Sequence, residues 1–186
     1  RGLRRYMLDR RLLTAHVSMA KSAESGWLLY IRVDAGRDGC IGRGTYGVVF
    51  LANDTLAGMA VAVKRQKVPS DEASRELAVY GLLSAWPHPN VLRLLGLFMK
   101  DGRFLHMVFP LYPQSLWDAW RVVQKKSDRF TPRLVARYLV GSTRGVRHLH
   151  DLSMVHGDLS MQNVLVDAAD SRTICDFGAT LSCRTG

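Results

Sequence analysis

β-Branched and apolar runs bounded by turn residues fill much of the first half of the chain. The runs "GVVFLAND" and "MAVAVKRQ" are separated by "TLAG" at residues 55–58, which predicts an antiparallel hairpin. A second hairpin is predicted across the "DG" at residues 101–102, between "NVLRLLGLFMK" and "RFLHMVFPL". "WLLYIRV" at residues 27–33 is one more candidate strand. These runs together predict an antiparallel sheet.

Helical periodicity appears in three stretches. The first, "SDEASRELAVYGLLSAW", has Ser70 or Asp71 as its N-cap and is ended by Pro87 and Pro89. The others are "SLWDAWRVVQKK" and "TPRLVARYLVGSTRGVRHLHDL", the latter capped by Thr131. The short strands "NVLVD" and "RTICDF" follow, around a polar turn. The order of strands, helix, strands and then mostly helices predicts an α+β fold of two lobes with a crevice between them.

The chain of 186 residues is long enough for one large domain or two small ones. Its longest apolar runs, such as "WLLYI", are far shorter than the roughly 18 residues of a membrane span, so none is expected. The first residue is Arg1 rather than Met, and we therefore expect the sequence to be a piece of a longer protein.

Half of the net charge of +10 lies in residues 1–21, where basic residues far outnumber the single acidic residue, Asp9. A basic amphipathic stretch could meet nucleic acid or a membrane surface. A solvated leader helix is the favoured interpretation, because basic and aromatic residues do not interleave as in nucleic-acid-binding segments. We therefore assign residues 1–36 to a basic, partly helical leader and expect no specific nucleic-acid partner.

The three cysteines, Cys40, Cys175 and Cys183, cannot all pair with one another. No CxxC motif or Cys/His cluster suggests a zinc site. A reducing intracellular compartment, such as the cytoplasm, is the expected setting.

Gly42, Gly44 and Gly47 have the spacing G-x-G-x-x-G in "IGRGTYGVVF". Glycines let backbone N–H groups approach a phosphate without an intervening Cβ. A dinucleotide-binding fold would need a helix immediately after the glycines, whereas a β-branched run follows here. We therefore predict a hairpin turn that folds over phosphates as a flap.

Lys64 ends "VAVK" on the next strand, and Ala62 points to the same side because a strand alternates its faces. The small Ala62 leaves room for a flat base, and the Lys64 ammonium would reach phosphate oxygens. A lysine in such a cleft needs an anion beside it. Glu76 on the following helix is the first candidate and Glu72, one turn earlier, is the second. The alternative is a surface lysine with no partner.

Asp158 and Asn163 flank a tight loop in "HGDLSMQNVL", and Asp176 begins "DFG". Mg²⁺ prefers oxygen ligands and is commonly shared between one or two carboxylates and substrate phosphates. Asn163 and Asp176 supply such oxygens, which leaves Asp158 to orient a hydroxyl or accept its proton. Each residue alone is also common in turns, but the joint pattern indicates a site.

Four motifs therefore occur in one order: G-x-G-x-x-G-x-V, VAVK, H-x-D-x-x-x-x-N and DFG. Together they are the signature of protein kinases, and from about residue 37 the chain resembles a eukaryotic-type protein kinase. The resemblance implies an N-lobe with the glycine-rich loop and hinge at residues 37–112 and a partial C-lobe at residues 113–186. It also implies phosphoryl transfer from ATP, with Mg²⁺ as cofactor, to a protein substrate.

The same resemblance implies residue roles. Asp158 would be the catalytic base, and Asn163 and Asp176 would hold Mg²⁺. Lys64 would contact the α- and β-phosphates while paired with Glu76. The nucleotide contacts would be Ile41, Gly42, Gly44, Gly47, Val49, Ala62, Lys64, Phe109, Pro110, Tyr112 and Leu165. An apolar column coupling the lobes would be formed by Tyr80, His156 and Phe177.

The segment "LHMVFPLYPQSL" resembles the hinge of the family. With Phe109 guarding the back pocket, the Pro110 carbonyl would accept a hydrogen bond from adenine and the Tyr112 N–H would donate one. A register shifted by one residue would require an N–H from Pro113, which has none. The prolines therefore favour this alignment.

Two positions depart from the family. Gly157 stands where most relatives have an Arg that gathers a phosphorylated activation loop, so we expect activation that does not depend on that contact. Ser160 stands where Ser/Thr kinases usually place Lys. "DLSMQN" also lacks the patterns of tyrosine kinases, so Ser/Thr hydroxyls are the expected acceptors.

The chain ends at Gly186, before the family's substrate platform, and we expect the apolar sides of residues 131–150 to be exposed. The leading hypothesis is a protein kinase fragment. A non-catalytic pseudokinase or truncated scaffold is the alternative that the truncation favours and the intact motifs disfavour. A small-molecule kinase of similar fold is disfavoured by the combination of VAVK, this glycine loop and DFG.

Overall fold

The computed structural model describes residues 31–33, 39–44, 47–55, 57–125, 131–169 and 171–183. The chain divides into two compact units. The first comprises the described residues up to Ala85 together with Arg93–Leu111. The second comprises Trp86–Leu92 together with the described residues from Tyr112 onward. Most of the predicted leader, residues 1–36, lies outside the described residues.

An antiparallel sheet forms most of the first unit. Its strands are β1 (Ile31–Val33), β2 (Cys40–Gly44), β3 (Gly47–Asp54), β4 (Met59–Lys67), β5 (Gly96–Lys100) and β6 (Phe104–Pro110). Their order is β1-β3-β4-β6-β5, and β2 also pairs with β3. Both predicted hairpins are confirmed, as β3–β4 and β5–β6. The part of the candidate first strand that is described, β1, is a strand as well.

The two faces of this sheet differ in chemistry. One face carries an apolar core formed by Ala52, Val61, Val63, Phe98 and Val108. Because side chains alternate along a strand, Ala62, Lys64 and Gln66 of β4 lie on the opposite face. The polar side chains of Lys64 and Gln66 are therefore neighbours on the face opposite this core. Other parts of the unit must cover that face.

Helix α1 (Asp71–Ala85) follows β4. The Ser70 hydroxyl accepts a hydrogen bond from the Ala73 N–H at 3.1 Å, so Ser70 is the N-cap and Asp71 the first helical residue. The helix ends before Pro87, as predicted. Its buried face includes Glu76, which is 1% exposed. A buried carboxylate is costly unless it is paired and hydrogen-bonded, so the partners of Glu76 determine whether the helix can pack here.

Helices make up most of the regular secondary structure of the second unit. Its elements are β7 (Gln114–Ser115), α2 (Leu116–Lys125), α3 (Pro132–Asp151), β8 (Met154–Val155), a 3₁₀ turn (Met161–Asn163), β9 (Val164–Val166), β10 (Arg172–Ile174) and β11 (Leu181–Ser182). Strand β9 pairs with β7 and β10, and β8 pairs with β11. Both predicted helices and the β9–β10 hairpin are confirmed. Helix α2 begins with a reciprocal cap, in which Ser115 and Asp118 each accept a hydrogen bond from the other's backbone N–H.

Residues 86–92 pack onto α3 and β10 of the second unit. The Asn90 side-chain amide donates to the Arg172 carbonyl at 2.6 Å, and the Ile174 N–H donates to the Asn90 carbonyl at 2.9 Å. A Cβ at Gly145 of α3 would lie 2.5 Å from that Asn90 carbonyl oxygen, so glycine allows the approach. The prediction that a strand begins at Asn90 was wrong, because residues 90–92 bond to β10 and β5 begins only at Gly96.

Helix α3 exposes three large apolar side chains, Val135, Leu139 and Val140. This confirms the expectation for residues 131–150. Among the helices that the structure describes, none combines the length and apolar character needed to cross a bilayer. An antiparallel sheet with one helix, followed by a largely helical unit, is the α+β fold class predicted from the sequence.

Candidate active site

The three glycines of the predicted phosphate loop lie on the β2–β3 hairpin. Gly42 and Gly44 belong to β2, and Gly47 begins β3 opposite Gly44. Residues 45–46 at the tip lie outside the described residues. A Cβ at Gly47 would lie 2.5 Å from the Arg65 carbonyl oxygen, whereas a Cβ at Gly44 would meet nothing within 4 Å. Gly47 thus lets β4 approach, and the strand that follows it is the context predicted for a flap.

A buried ion pair joins β4 to α1. The Lys64 Nζ donates to both carboxylate oxygens of Glu76, at 2.8 Å to Oε1 and 2.7 Å to Oε2. The two side chains are 10% and 1% exposed. Glu76 rather than Glu72 therefore makes the contact, as first expected. Charge-assisted hydrogen bonds of this length are the strong ones in proteins, and they compensate the burial of both charges.

The predicted adenine-lining residues of the first unit lie on adjacent strands. Val49 of β3 is opposite Lys64, and Ala62 of β4 is opposite Phe109 of β6. Phe109 is buried, and its ring packs on that of Tyr80 with centroids 5.1 Å apart. The sheet register therefore brings the small Ala62 and the lysine to one surface.

The remaining predicted nucleotide contacts are distributed over both units. Ile41 is exposed on β2, and Pro110 is the last residue of β6. Tyr112 and Leu165 belong to the second unit, where the Tyr112 hydroxyl donates to Thr173 Oγ1 at 3.2 Å. Their contact with a nucleotide stays a prediction.

The second unit brings Asp158 and Asn163 together. The Asn163 Nδ2 donates to the Asp158 backbone carbonyl at 2.8 Å and to its Oδ2 at 3.2 Å. The Cys175 N–H in turn donates to the Asn163 carbonyl at 2.9 Å. The residue before Asp176 is thereby fixed to the 3₁₀ turn that ends at Asn163. Asp158 and Asn163 are thus joined directly, and Asp176 follows the residue that is hydrogen-bonded to Asn163.

His156 links the same two segments. Its Nε2 donates to the Cys175 carbonyl at 2.9 Å, and its Nδ1 accepts from the Asp158 N–H at 3.3 Å, which is the pattern of a neutral ring. Burial lowers the pKa of His156, although the hydrogen bond to Cys175 and the carboxylates of Asp176 and Asp158 act in the opposite direction. The ring also packs on Phe177, with centroids 5.4 Å apart. His156 therefore holds Asp158 and the "DFG" segment in register.

Asp176 has an uncommon backbone conformation, with φ at 65°. A non-glycine residue in the left-handed region costs free energy, and such residues cluster at functional sites. Gly157, where the family has Arg, is also left-handed, with φ at 79°. Gly157 follows His156 in the chain, and Asp176 follows Cys175, whose carbonyl is hydrogen-bonded to His156.

Gln66 is a site residue that sequence reasoning missed. Its Nε2 donates to Glu76 Oε2 at 2.7 Å, and the side chain is buried. The signal in the sequence was a polar residue two positions after Lys64, and therefore on the same face of β4.

The first unit thus contains a buried lysine–glutamate pair, and the second contains an Asp–Asn loop before "DFG". Known proteins were compared with the chain on this basis. Residues 37–185 match the family model described as the protein kinase domain. The chain belongs to the protein kinase family. The fold and the order of the motifs in this kinase chain agree with that membership.

Three curated relatives illustrate the similarity. Mitogen-activated protein kinase 17 of Oryza sativa subsp. japonica is 32% identical over 145 residues, which cover 74% of this chain and 24% of the relative. Cell division control protein 2 homolog 3 of Trypanosoma brucei brucei is 32% identical over 141 residues, with 74% and 44% covered. Mitogen-activated protein kinase 16 of Arabidopsis thaliana is 32% identical over 145 residues, with 74% and 25% covered. The chain thus spans from about a quarter to less than half of the length of these relatives.

Proposed function

We propose that this chain carries the nucleotide-binding and catalytic residues of an ATP-dependent protein kinase that phosphorylates Ser and Thr hydroxyls of proteins. The buried Lys64–Glu76 pair carries the proposal. Apolar residues of similar volume would usually hold β4 and α1 together at least as well as a buried ion pair. The pair is therefore better explained by a need for a positioned cation. Relatives named as protein kinases support the same reaction class.

Lys64 is assigned to the α- and β-phosphates of ATP. Its ammonium is carried on a flexible side chain, and Glu76 fixes it through two hydrogen bonds. A cation that is already oriented needs no reorganisation when negative charge develops, which is the main source of electrostatic catalysis.

The residues of the second unit fit a magnesium ion. Because the Asn163 amide nitrogen faces Asp158, its oxygen Oδ1 is directed away from that residue. Asn163 Oδ1 and the Asp176 carboxylate are hard oxygen ligands of the kind that Mg²⁺ takes together with phosphates and water. Within the described ranges no cluster of three or more His, Cys, Asp or Glu could hold a metal. Mg²⁺ held by these two side chains would neutralise phosphate charge.

Asp158 is assigned to the acceptor hydroxyl. Asn163 donates a hydrogen bond to its Oδ2, and the His156 ring accepts one from its backbone N–H, so the carboxylate and the backbone of Asp158 are each held by one contact. We assign the proton of the attacking hydroxyl to Oδ1, as in general-base catalysis. The loop contacts that orient Asp158 therefore serve the transfer step directly.

The acceptor class and the cellular setting are further parts of the proposal. The loop "DLSMQN" lacks tyrosine-kinase patterns, so Ser and Thr hydroxyls are the proposed acceptors, and the Ser160 hydroxyl takes the place of the usual Lys. Cys40, Cys175 and Cys183 are all free thiols. Free thiols suit a reducing intracellular compartment, which is where we place the protein.

The test uses the longest protein that the gene encodes, in which nucleotide binding and transfer to a generic protein substrate are both measured. We expect Mg·ATP binding in the wild type, and loss of transfer in Lys64→Met and in Asp176→Asn. Lys67→Met, at the exposed end of β4, and Asp151→Asn, at the exposed end of α3, are the matched controls. Transfer that persists unchanged in either site variant would show that the site is misplaced.

A further inference from the structure

Gln66 shares the Glu76 carboxylate with Lys64. Its Nε2 donates to Glu76 Oε2 at 2.7 Å, and the same oxygen accepts from the Lys64 Nζ at 2.7 Å. Gln66 is 1% exposed, as is Glu76. The two donors come from successive positions on one face of β4, and the acceptor comes from α1. One carboxylate therefore ties the helix to the strand at two points.

The orientation of the Gln66 amide follows from the chemistry of its neighbour. A carboxylate only accepts hydrogen bonds, so the amide N–H groups face Glu76 and the amide oxygen faces away. That oxygen, Oε1, is buried and has no hydrogen-bond partner among the residues that the structure describes. An unsatisfied buried carbonyl is a cost that an apolar side chain would avoid.

The neighbours of Gln66 on the sheet are apolar. Leu105 and Met107 on the neighbouring strand β6 face the same side, and both are buried. A residue that only filled space here would be apolar as they are. The use of a glutamine is therefore explained by the one hydrogen bond that it donates.

We propose that Gln66 is a positioning residue that holds the Glu76 carboxylate in the orientation that receives Lys64. With one oxygen held by Gln66, rotation of the carboxylate about its last bond would break a buried hydrogen bond. The lysine–glutamate pair is thus assembled by contacts within the first unit, before any nucleotide binds. The inference rests on the proposed role of Lys64 and deepens it.

The experiment measures how well Lys64 is held, without nucleotide and without an activity assay. The 186-residue chain is treated with a small acetylating reagent, and the acetylation rate of each lysine is followed by peptide mass spectrometry. Gln66→Met removes the hydrogen bond at similar volume, and Glu76→Gln removes the ion pair. We expect Gln66→Met to accelerate acetylation of Lys64 about fivefold, less than Glu76→Gln does. The exposed lysines Lys67 and Lys100 are internal references.

The double variant separates positioning from a loss of packing. If Gln66 acts through Glu76, then adding Gln66→Met to Glu76→Gln changes the Lys64 rate no further. Gln124→Met, on the exposed side of α2, is the matched control and leaves the rate unchanged. A Lys64 rate that Gln66→Met does not alter, or alters equally in both backgrounds, would overturn the proposal.

Folding of each variant is checked by circular dichroism, and Gln66→Leu replaces Gln66→Met if the latter does not fold. Loss of the folded state in both would overturn the proposal, because it would show that Gln66 is needed for the fold itself. Mg·ATP binding is measured separately, in the longest protein that the gene encodes. If nucleotide does not bind but the Lys64 acetylation rates change as expected, the proposed function is refuted and the role of Gln66 stands. If nucleotide binds but Gln66→Met leaves the Lys64 rate unchanged, the role of Gln66 is refuted and the proposed function stands.

Discussion

The Ala179 carbonyl oxygen lies against Gly157, where a Cβ on residue 157 would overlap it. Gly157 has a φ of 79°, and the Thr180 hydroxyl donates to the carbonyl of the preceding residue, His156, at 3.4 Å. Strands β8 and β11 pair immediately beyond. The chain that follows "DFG" is therefore held against residues 154–157 by the Thr180 hydroxyl and by strand pairing, and Gly157 makes the space for the Ala179 carbonyl.

Gly157→Ala should destabilise the protein by about 2–4 kcal/mol, because it adds both a left-handed alanine and an overlap with Ala179. Gly102→Ala is the matched control, since Gly102 has a φ of 60° but nothing within 4 Å of its Cβ position. That control should cost only about 1 kcal/mol. Urea unfolding followed by circular dichroism measures the free energy of unfolding of both variants. Equal losses would show that the overlap with Ala179 does not contribute to the destabilisation.

Activity in the longest protein that the gene encodes should depend little on phosphorylation of the chain after "DFG". The reason is that Gly157 provides no cation for a phosphate, while backbone contacts already hold residues 179–182. Treatment with a phosphatase followed by an activity assay tests this. A large loss of activity would mean that another basic residue gathers the phosphate.

His106→Phe should make the protein less sensitive to acid. Burial lowers the pKa of His106 to about 4, a shift that the backbone of Phe104 opposes and the charges of Arg65 and Lys100 reinforce. Since the unfolded histidine titrates near 6.5, the unfolded state binds more protons between about pH 6.5 and 4, and stability falls as the pH falls through that window. At pH 5 this costs the wild type about 2 kcal/mol relative to neutral pH.

Phenylalanine suits this position because the His106 ring stacks on Phe98, with centroids 4.7 Å apart and an interplanar angle of 4°. The His106 Nδ1 is buried and has no hydrogen-bond partner in the described part of the chain. Urea midpoints at pH 7.5 and pH 5 are compared with those of His150→Phe, on the exposed surface of α3. If stability falls by the same amount between pH 7.5 and pH 5 in the wild type and in His106→Phe, then His106 is not the source of the acid sensitivity.

The two cysteines near "DFG" should differ in alkylation. Cys183 is exposed, whereas Cys175 is partly buried and its backbone hydrogen-bonds to Asn163 and His156. We expect Cys183 to react faster and without nucleotide protection, and Cys175 to react slowly and to be protected by excess Mg·ATP in the longest gene product. Peptide mapping distinguishes them. Equal labelling of Cys175 with and without nucleotide would contradict its proposed place beside the phosphates.

Local features of the sequence predicted much of this fold. The "TLAG" and "DG" turns located both hairpins, and Ser70 and Thr131 located the starts of two helices, because such signals act within a few residues. For the partner of Lys64 the residues alone left Glu76 as the first candidate and Glu72 as the second, and the resemblance to protein kinases implied Glu76.

Long-range contacts account for what the sequence did not predict. Residues 90–92 look like the start of a strand, but hydrogen bonds to β10, more than eighty residues later, draw them into the second unit. No role was predicted for Gln66 from the sequence, because its partner, Glu76, belongs to another element. Strands β7, β8 and β11 have two residues each, which is too short for a periodic pattern.

The chain passes between its two units after Ala85, after Leu92 and after Leu111. A gene crossover near residue 112 would therefore not exchange one whole unit for its counterpart. Residues 86–92, including Asn90, belong to the second unit but would come from the parent that supplies the first. In such a chimaera the Asn90 of one lineage would have to fit the Gly145 and β10 of another. Recombination between homologues should therefore be tolerated best where residues 86–92 are inherited together with the later part of the chain.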